Sequence, residues 1–427
     1  MREILATPIE LQTKWTLRGV LCAINEHESG ALWQSARLAD FYGRDERISG
    51  CTIDRISAIV GEDSAPFAFE PATREPDKSK ELSERIAEWW DSVVTDSWLA
   101  ETLHDTIHLG VSFSWISWQT TANEWRPVKL THFHASAVYW DDNKGCWIAN
   151  GRVRNGRNSP WQSKQFEIRQ GDPNWLIVAP SGARPFMAGA VRSLGVHFLM
   201  RSWDFRDIAR FCERHGLPIL KIMEPRATDD IEQKERFAAD LAGIGTTGMV
   251  RLPQGDGPEE SWNLEPLEMK SRSSDAFFQF NEVLNTSIAI RILGQNLSTE
   301  VQGGSFAAAG WHARVKQSIV RGDATGLGTA LRDGLVKPWA RANVANFDDE
   351  IAPWPRWRLV IAEDLQAKAI TIQAAYQAMP VIKQSGTPVD LIAFAQKFGV
   401  PLIEGAAPNE PAQITDSRPG DEQQAAQ

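Results

Sequence analysis

Two histidines that are two residues apart are the first candidates for chemistry in this chain. His132 and His134 lie in a segment of alternating apolar pattern, so a β-strand would place both imidazoles on one face. That spacing can hold a metal ion. The nearest carboxylates are Asp141 and Asp142, and no zinc-hydrolase spacing accompanies the pair. A polar sheet face is the favoured interpretation, and we expect neither a metal nor a cofactor.

Two further motifs match catalytic or cofactor sites only in their letters. Residues 243–248 have the sequence GIGTTG, but a dinucleotide-binding turn needs a strand before it and a helix after it. Here a helix is predicted before the motif and a strand after it. Residues 348–350 are three consecutive carboxylates, which do not converge on one point, so a solvated turn is favoured. The chain also lacks a Gly-x-Ser-x-Gly motif and a P-loop, which disfavours a serine hydrolase and a motor ATPase.

Three arginines at helical spacing leave two interpretations open. Arg206, Arg210 and Arg214 are four residues apart and would form a stripe along one helix face. They could be a solvated face, paired with the nearby acidic residues Asp204, Asp207 and Glu213. They could instead form a ring of positive charge if the protein is a symmetric oligomer. The solvated face is slightly favoured.

A polar loop between two long helical patterns is the most distinctive segment. Residues 295–306 have the sequence QNLSTEVQGGSF, with adjacent glycines at Gly303 and Gly304. Loops held by rigid elements are where binding and gating functions concentrate. We place the loop at residues 295–310, a stretch that contains no Lys or Arg and so offers no side-chain cation to phosphates.

Composition limits the classes of protein that fit. The chain has 427 residues and a formal net charge of −10, which suggests two or three domains and disfavours tight phosphate binding. The 18 tryptophans are expected mostly in the core, with some at subunit contacts. The four cysteines form no Cys-x-x-Cys pair, and no apolar run has membrane-spanning length. We therefore expect reduced, buried thiols and no membrane segment.

Hydrophobic periodicity predicts an α+β fold in which helices flank an antiparallel β region. Ahead of that region we predict an arm or short helix over 9–25, two helices over 32–60 with breaks near Gly43 and Gly50, a connector over 66–76 and one helix over 78–109. Strands follow between residues 111 and 178. The remaining predicted elements are a helix over 188–215, a small α/β segment, a helix over 273–293, a broken helix over 307–346 bent at Pro338, a strand over 353–361, helices over 362–379 and 389–398, and a disordered tail over 404–427.

The order of these elements, together with four short motifs, resembles the portal (head–tail connector) proteins of bacteriophages, and most closely the Mu-like branch. The motifs are RFCERHGLP over 210–218, LEPLEM over 264–269, GQNLSTE over 294–300 and GGSFA over 303–307. The resemblance extends from about residue 32 to about residue 398. It implies a homo-oligomeric ring, usually of twelve subunits, at one vertex of a viral capsid.

The resemblance also implies a role for each part of the chain. Residues 1–187 would be an arm and a wing with the antiparallel β region, and residues 311–361 would add a long helix and a strand to the wing. Residues 188–215 and 273–294 would be the two stem helices, and residues 216–272 a small α/β clip. Residues 295–310 would be a tunnel loop, residues 362–403 crown-like helices, and residues 404–427 a disordered tail.

Partners and site residues follow from the same resemblance. Double-stranded DNA would pass through the ring without sequence specificity, while terminase, the major capsid protein and a head–tail adaptor would dock on it. The ring would assemble in the host bacterial cytoplasm and remain in the virion. Channel-facing groups would be Ser298, Thr299, Glu300, Gln302, Gly303, Gly304 and Ser305. The clip would dock its partners through Lys221, Glu224, Arg226 and Arg251.

Two rival functions stay open. A connector ring of a domesticated prophage or a gene-transfer particle would have the same fold and another cargo. An enzyme with a lid loop at residues 295–310 would need a convergent catalytic set, and the sequence shows none.

Overall fold

The computed structural model describes part of the chain, which divides into the units Met1–Leu359 and Val360–Gln427. The described residues are 2–6, 14–61, 66–121, 124–155, 159–180, 182, 184–215, 219–223, 231–232, 235–236, 263–267, 272–296, 306–359 and 373. The fold below is that of the first unit. The predicted helices over 362–403, apart from residue 373, and the predicted tail over 404–427 lie outside the described residues.

The described elements confirm the α+β class. The helices are α1 (Leu17–Glu28), α2 (Trp33–Tyr42), α3 (Glu46–Ser57), α4 (Pro76–Val93), α5 (Asp96–Leu109), α6 (Val191–His215), α7 (Arg272–Leu293), α8 (Phe306–Leu331) and α9 (Lys337–Asn343). The strands are β1 (Arg2–Ala6), β2 (Phe67–Glu70), β3 (Ser112–Thr121), β4 (Glu124–Phe133), β5 (Val138–Asp141), β6 (Cys146–Asn155), β7 (Gln162–Ile168), β8 (Trp175–Val178), β9 (Ile219–Met223), β10 (Asn263–Leu267) and β11 (Trp354–Trp357).

Every strand pair in the described part of the chain is antiparallel. One sheet has the order β4–β3–β8, and in a second sheet β6 pairs with β1, β5 and β7. Two-stranded ribbons join β2 to β11 and β9 to β10. The ribbon of β2 and β11 ties residues that are far apart in sequence. The connector predicted over residues 66–76 therefore contains a strand, which the sequence analysis missed.

Strand β8 lies between two apolar cores, which is why all of its residues are buried. Trp175 and Ile177 point into the core that also contains Phe113 and Trp147. Leu176 and Val178 alternate with them and point into the core of helices α4, α5 and α8. A strand that is apolar on both faces has a continuous apolar sequence instead of an alternating one. Among the described residues, eight tryptophans are buried in these two cores, while Trp33 and Trp203 are exposed.

The helical segment predicted over residues 78–109 is two helices. Helix α4 ends at Val93, and Thr95 caps α5 by accepting a hydrogen bond from the backbone N–H of Trp98 at 3.3 Å. The apolar pattern continues across the break, which is why periodicity alone gave one helix. Gly50, predicted as a break, lies inside α3. The N-terminal segment forms strand β1 and a helix that begins at Leu17, not near residue 9. Cys22 is exposed rather than buried.

The long helical segment from Phe306 to Asn343 contains a π-helical turn at Arg332–Val336, between α8 and α9. Pro338 follows this turn and cannot donate to the carbonyl one α-turn earlier, so the wider turn accommodates it. Gly334 lies in the turn because a Cβ there would be 2.5 Å from the Cδ1 of Leu176 on β8. The helix begins at Phe306, so residues 306–310, predicted as loop, are helical.

A buried histidine joins the N-terminal helices to the segment before α6. The Nε2 of His27 is 2.7 Å from the carbonyl oxygen of Phe186, and its Nδ1 is 2.7 Å from the Oγ of Ser35. Burial lowers the pKa of His27 from 6.5 to about 4. Because an Nε2–H donor is held by a carbonyl in an apolar site, the neutral imidazole fits and the charged form does not.

Acidification is therefore expected to destabilise the native chain through His27. The folded pKa lies below the unfolded one, so the unfolded chain binds more protons as the pH falls from 6.5 towards 4, and stability falls in that window. The full loss, complete only below pH 4, has an upper limit of about 3–4 kcal/mol, of which about 2 kcal/mol falls between pH 7.5 and pH 5. Urea unfolding at pH 7.5 and pH 5 measures it. His27→Gln should lose less stability over this interval than the wild type, with His197→Gln as the control. An equal loss in His27→Gln and the wild type contradicts the assignment.

Candidate functional site

Helices α6 and α7 form an antiparallel pair, and their contacts define the site. The guanidinium of Arg291 on α7 donates to the carbonyl oxygens of Ala188 and Gly189, just before α6, at 2.8 and 3.0 Å. One and a half turns earlier on α7, the side-chain oxygen of Asn285 accepts a hydrogen bond from Arg201, well inside α6. Residue numbers thus rise along α7 as they fall along α6. The two predicted stem helices therefore lie side by side.

The end of α7 lies close against α8. Gly294 ends the helix with φ of 74°, a left-handed conformation that favours glycine. A Cβ at this position would also be 2.4 Å from the Cδ1 of Ile319 and 3.0 Å from the Cγ1 of Val315. Any larger residue would have to push the two helices apart. Gln295, which follows, is buried.

A cluster of charges contributed by α3 and α8 holds α7 and α8 together at this point. We call it the α3 clamp. Its members are Asp54, Arg55, Lys316 and Asp323. Arg55 donates to the carbonyl of Ile292 at 2.8 Å and forms a two-point pair with Asp323 at 2.6 and 2.8 Å. The Nζ of Lys316 is 2.6 Å from the Oδ1 of Asp54. The α3 clamp fixes both helices that flank residues 297–305.

The lone protomer exposes large apolar side chains along α6 and α7. On α7 the exposed residues Phe280, Val283 and Ile290, with Ser287, follow the alternating three- and four-residue spacing of a helix–helix contact, and we call them the α7 seam. On α6 the exposed apolar residues are Met200, Trp203 and Phe205. Val283 is 61% exposed and Ile290 is 51% exposed. A row of exposed apolar side chains at this spacing marks an interaction face.

The structure describes only some of the sequence-predicted site residues. Ser298, Thr299, Glu300, Gln302, Gly303, Gly304 and Ser305 lie outside the described residues, as do Glu224, Arg226, Arg251 and the GIGTTG motif at 243–248. Lys221 lies in β9, where its Cα pairs with that of Glu265 in β10.

The described part of the arginine stripe is exposed in the protomer and contacts Asp207, and both interpretations of the stripe stay open. The guanidinium of Arg206 is 3.2 Å from an Oδ1 of Asp207, and that of Arg210 is 3.7 Å from the same oxygen. The side chains of Arg206, Arg210 and Asp207 are all exposed. The side chain of Arg214 lies outside the described residues. Asp204, predicted as a surface partner, is buried instead, and burial, with Asp207 nearby, raises the pKa of its carboxyl group.

His132 and His134 bind different carboxylates and do not form a shared metal site. The Nε2 of His132 is 2.9 Å from Asp105, whereas that of His134 is 3.1 Å from Asp40. Burial alone would raise the pKa of Asp105, but hydrogen bonds from His104 and His132 hold it well below its usual range. These residues line a cavity of about 500 Å³ between α2, α3 and α5. Among the described residues, no group of three His, Cys, Asp or Glu side chains could hold a metal ion.

The consecutive carboxylates at residues 348–350 organise the chain before β11. Arg74 pairs with Asp348 at 3.0 Å and with Glu350 at 2.6 Å. Asp349 pairs with Arg341. All of these side chains are more than a third exposed, so each pair contributes little stability. Two of the carboxylates share Arg74 and the third pairs with Arg341, so these pairs hold the residues around a structural turn.

Comparison with protein families decides the class. The family described as "Portal protein of Mu bacteriophage" matches residues 36–400, most of the chain. The chain belongs to the Mu portal family. Proteins of this family are structural portal components. In the described part of this portal protein, none of the helices combines the length and apolar character that a membrane crossing requires.

The chain is also similar to one curated protein in sequence and to one solved structure in fold. The "Mu-like prophage FluMu protein gp29" of Haemophilus influenzae is 26% identical over 353 residues, a match that covers 80% of this chain and 64% of the relative. The match thus spans less than two thirds of that relative's length. A chain of the virion of a native gene transfer agent particle has a similar fold, with a TM-score of 0.52 and 11% identity over 90% of this chain and 99% of that chain. At that identity the likeness concerns the fold alone.

The α3 clamp of this portal protein was not predicted. Arg55 and Asp323 are 268 positions apart, and no local pattern links residues at such a separation. The only signal in the sequence is indirect, since α3, α7 and α8 each carry charges on a partly apolar face.

Removing the carboxylate of the α3 clamp should destabilise the portal protomer. Asp323→Asn is expected to lower the free energy of unfolding by about 2 kcal/mol, because Arg55 keeps its charge in a largely buried place without its partner. Asp349→Asn breaks an exposed ion pair and serves as the control, with an expected loss below about 1 kcal/mol. Urea titration monitored by tryptophan fluorescence measures both. Equal losses in the two variants would show that the α3 clamp contributes no more than a surface pair.

Proposed function

We propose that copies of this chain form a closed ring of twelve subunits at one capsid vertex, and that double-stranded DNA enters and leaves through its centre. Membership of the portal family supports this role. The observation that carries the ring is the α7 seam, a row of exposed apolar side chains that the protomer alone leaves without a cover. A second copy of the chain would offer the exposed apolar side chains of its α6 at the same height along the ring axis.

The level of that second face follows from the contacts between α6 and α7. Since Arg201 contacts Asn285, Trp203 of α6 lies close to the level of Val283 on α7. Rotation about the ring axis does not change the height of a residue along that axis. Trp203 of one subunit and Val283 of the next would therefore lie at similar heights. Met200 and Trp203 of one subunit would then pack against the α7 seam of its neighbour. Such a contact joins two different faces, so it can close into a ring when the rotation permits.

Within the ring we assign α6 and α7 to the stem, and residues 216–272 to a clip outside the capsid. Residues 1–187 and 311–361 are the wing, residues 362–403 the crown and residues 404–427 a tail. Terminase and a head–tail adaptor would dock on the clip through Lys221, Glu224, Arg226 and Arg251, and the major capsid protein would surround the ring. The two-stranded ribbon of β9 and β10 supports the clip assignment, because it joins the ends of α6 and α7 that lie farthest from the cores.

Residues 297–305 would line the narrowest part of the channel. Ser298, Thr299, Glu300, Gln302, Gly303, Gly304 and Ser305 supply polar groups and no cation. DNA sliding through must not be held by phosphate contacts, since each such contact strengthens binding and adds salt dependence. The formal net charge of −10 agrees with a channel that repels DNA and leaves it free to move. We therefore propose that this segment constricts the channel sterically and does not bind the DNA phosphates electrostatically.

Disruption of the α7 seam tests the ring. Val283→Asp should lower the fraction of chain in rings more than tenfold at a given concentration, because an unpaired carboxylate would be buried at every subunit contact. Ile53→Asp is the control, since Ile53 is equally exposed but lies on α3, away from the seam. Mass photometry and negative-stain images count the rings. Rings that tolerate Val283→Asp as well as Ile53→Asp would exclude the seam from the contact.

A charge added to the channel segment tests its role. Gln302→Lys should increase pausing during DNA packaging and should make the rate depend more steeply on salt, because each ring gains one phosphate contact per subunit. Gln302→Asn keeps the polarity and is the matched control. Packaging followed on single DNA molecules at two salt concentrations measures both effects. Identical pausing and retention of DNA in Gln302→Lys and the wild type would count against a sliding channel.

A further inference from the structure

Helix α6 changes from buried to exposed part-way along its length. Val191, Leu194 and Leu199 are buried in the first core, whereas Phe205 is 45% exposed and Arg206 is exposed. Arg201 lies between them and is only 4% exposed. Asp204, three residues further on, is also buried, so Arg201 and Asp204 together mark the point where the side chains of α6 change from buried to exposed, which we call the exit point of α6.

The guanidinium of Arg201 contacts two other elements at this exit point, the start of α3 and the middle of α7. Its Nε is 3.0 Å from the Oδ2 of Asp45, and an Nη donates to the side-chain oxygen of Asn285 on α7. It also lies over the ring of Phe205, 5.1 Å from its centre. The exposed Glu46 adds a longer contact of 3.5 Å. The contact between Nε and Asp45 is an ion pair without the alignment of a hydrogen bond, so the directional contact of this guanidinium is the one to Asn285.

Asp45 links this arginine to the start of α3. Its Oδ1 accepts hydrogen bonds from the backbone N–H groups of Arg47 and Ile48, at 3.0 and 3.1 Å, and so caps the helix. Its Oδ2 faces Arg201. The side chain of Arg47 in turn donates to the backbone carbonyl of Asn285 at 3.4 Å. The first turn of α3, the exit point of α6 and the middle of α7 are thus joined through one carboxylate and one guanidinium.

We propose that Asp45, Arg201 and Asn285 form a node that sets the angle at which α6 and α7 leave the body, and thereby the number of subunits that close the ring. A buried ion pair contributes little net stability compared with an apolar replacement of similar size, but its geometry is directional. Apolar contacts along α6 would allow the helix to tilt by a few degrees, whereas a guanidinium held by Asp45 on one side and hydrogen-bonded to Asn285 on the other would limit that tilt.

A change of a few degrees in the rotation between neighbouring subunits changes the number of subunits that close the ring. Successive subunits are rotated by about 30° in a ring of twelve and by about 28° in a ring of thirteen. Since the contact we assign lies between α6 of one copy and α7 of the next, a tilt of this pair changes that rotation directly. The node is a positioning group, and its effect reaches the subunit contact through the two helices. This inference rests on the proposed ring.

Two variants separate the node from helix capping and from general stability. Arg201→Met keeps the volume of the side chain and removes the fork. Asp45→Asn removes the charge but keeps an oxygen that can cap α3. Arg192→Met is the control, because Arg192 lies on the same helix and pairs with Glu28 at 2.7 Å on a more exposed face. Native mass spectrometry of purified full-length rings gives the distribution of subunit numbers, and circular dichroism gives the thermal midpoint.

The node predicts a broader distribution of subunit numbers in both variants. The share of rings with the wild-type number should fall at least threefold in Arg201→Met and Asp45→Asn, while the thermal midpoint stays within a few degrees. The double variant should be no worse than either single one, since both remove one interaction. Arg192→Met should keep the wild-type distribution.

Other outcomes would overturn the node, and they are distinct from a failure of the ring itself. An unchanged distribution in both variants removes the node while leaving the ring in place. Loss of the folded protomer in either variant also overturns it, because the interaction would then serve stability. Wild-type chain that forms no ring would instead refute the proposed function.

Discussion

The guanidinium of Arg55 is the interaction on which the arrangement of the long helices depends. It satisfies a carbonyl at the C-terminal end of α7 and the carboxylate of Asp323 in the middle of α8 at the same time. The end of a helix leaves several carbonyls without partners and carries a partial negative charge, so a cation there is favourable. Because Arg55 comes from α3, the two helices that flank residues 297–305 are fixed to the body and not only to each other.

Much of this architecture was predictable from local signals. The strands between residues 112 and 178, the two long helices now seen as α6 and α7, and the stop at Gly294 all follow from periodicity and capping residues. The family followed from the order of these elements and from short motifs, and the match over residues 36–400 confirmed it. These features share one property, which is that each is encoded within a few neighbouring residues.

The parts that could not be predicted are those that depend on long-range contact. The ribbon of β2 and β11 joins residues almost three hundred positions apart, and a short strand in a proline-bounded connector has no stable partner nearby. The helical pattern over 307–346 predicted the start of α8 at Phe306 to within one residue, but the loop was extended to Gly310, although one glycine costs a helix only about 1 kcal/mol. The carboxylates that pair with His132 and His134 could not be predicted either, because Asp105 and Asp40 come from helices α5 and α2, far away in the sequence.

The protomer makes its charged contacts within one chain and leaves large apolar side chains exposed on its outer faces. Its charged contacts with α7 and α8, through Arg201, Arg55 and Lys316, are made within one chain and are mostly buried. The large apolar side chains on the outer faces of α6 and α7 stay exposed. Ion pairs are directional and costly to bury unpaired, whereas apolar contacts tolerate small rotations. A subunit built in this way has fixed helix positions before it meets its neighbours, and association then adds apolar burial without rearranging charge. For a ring that must close on itself, that order matters, because an error in the angle of one subunit is repeated at every contact.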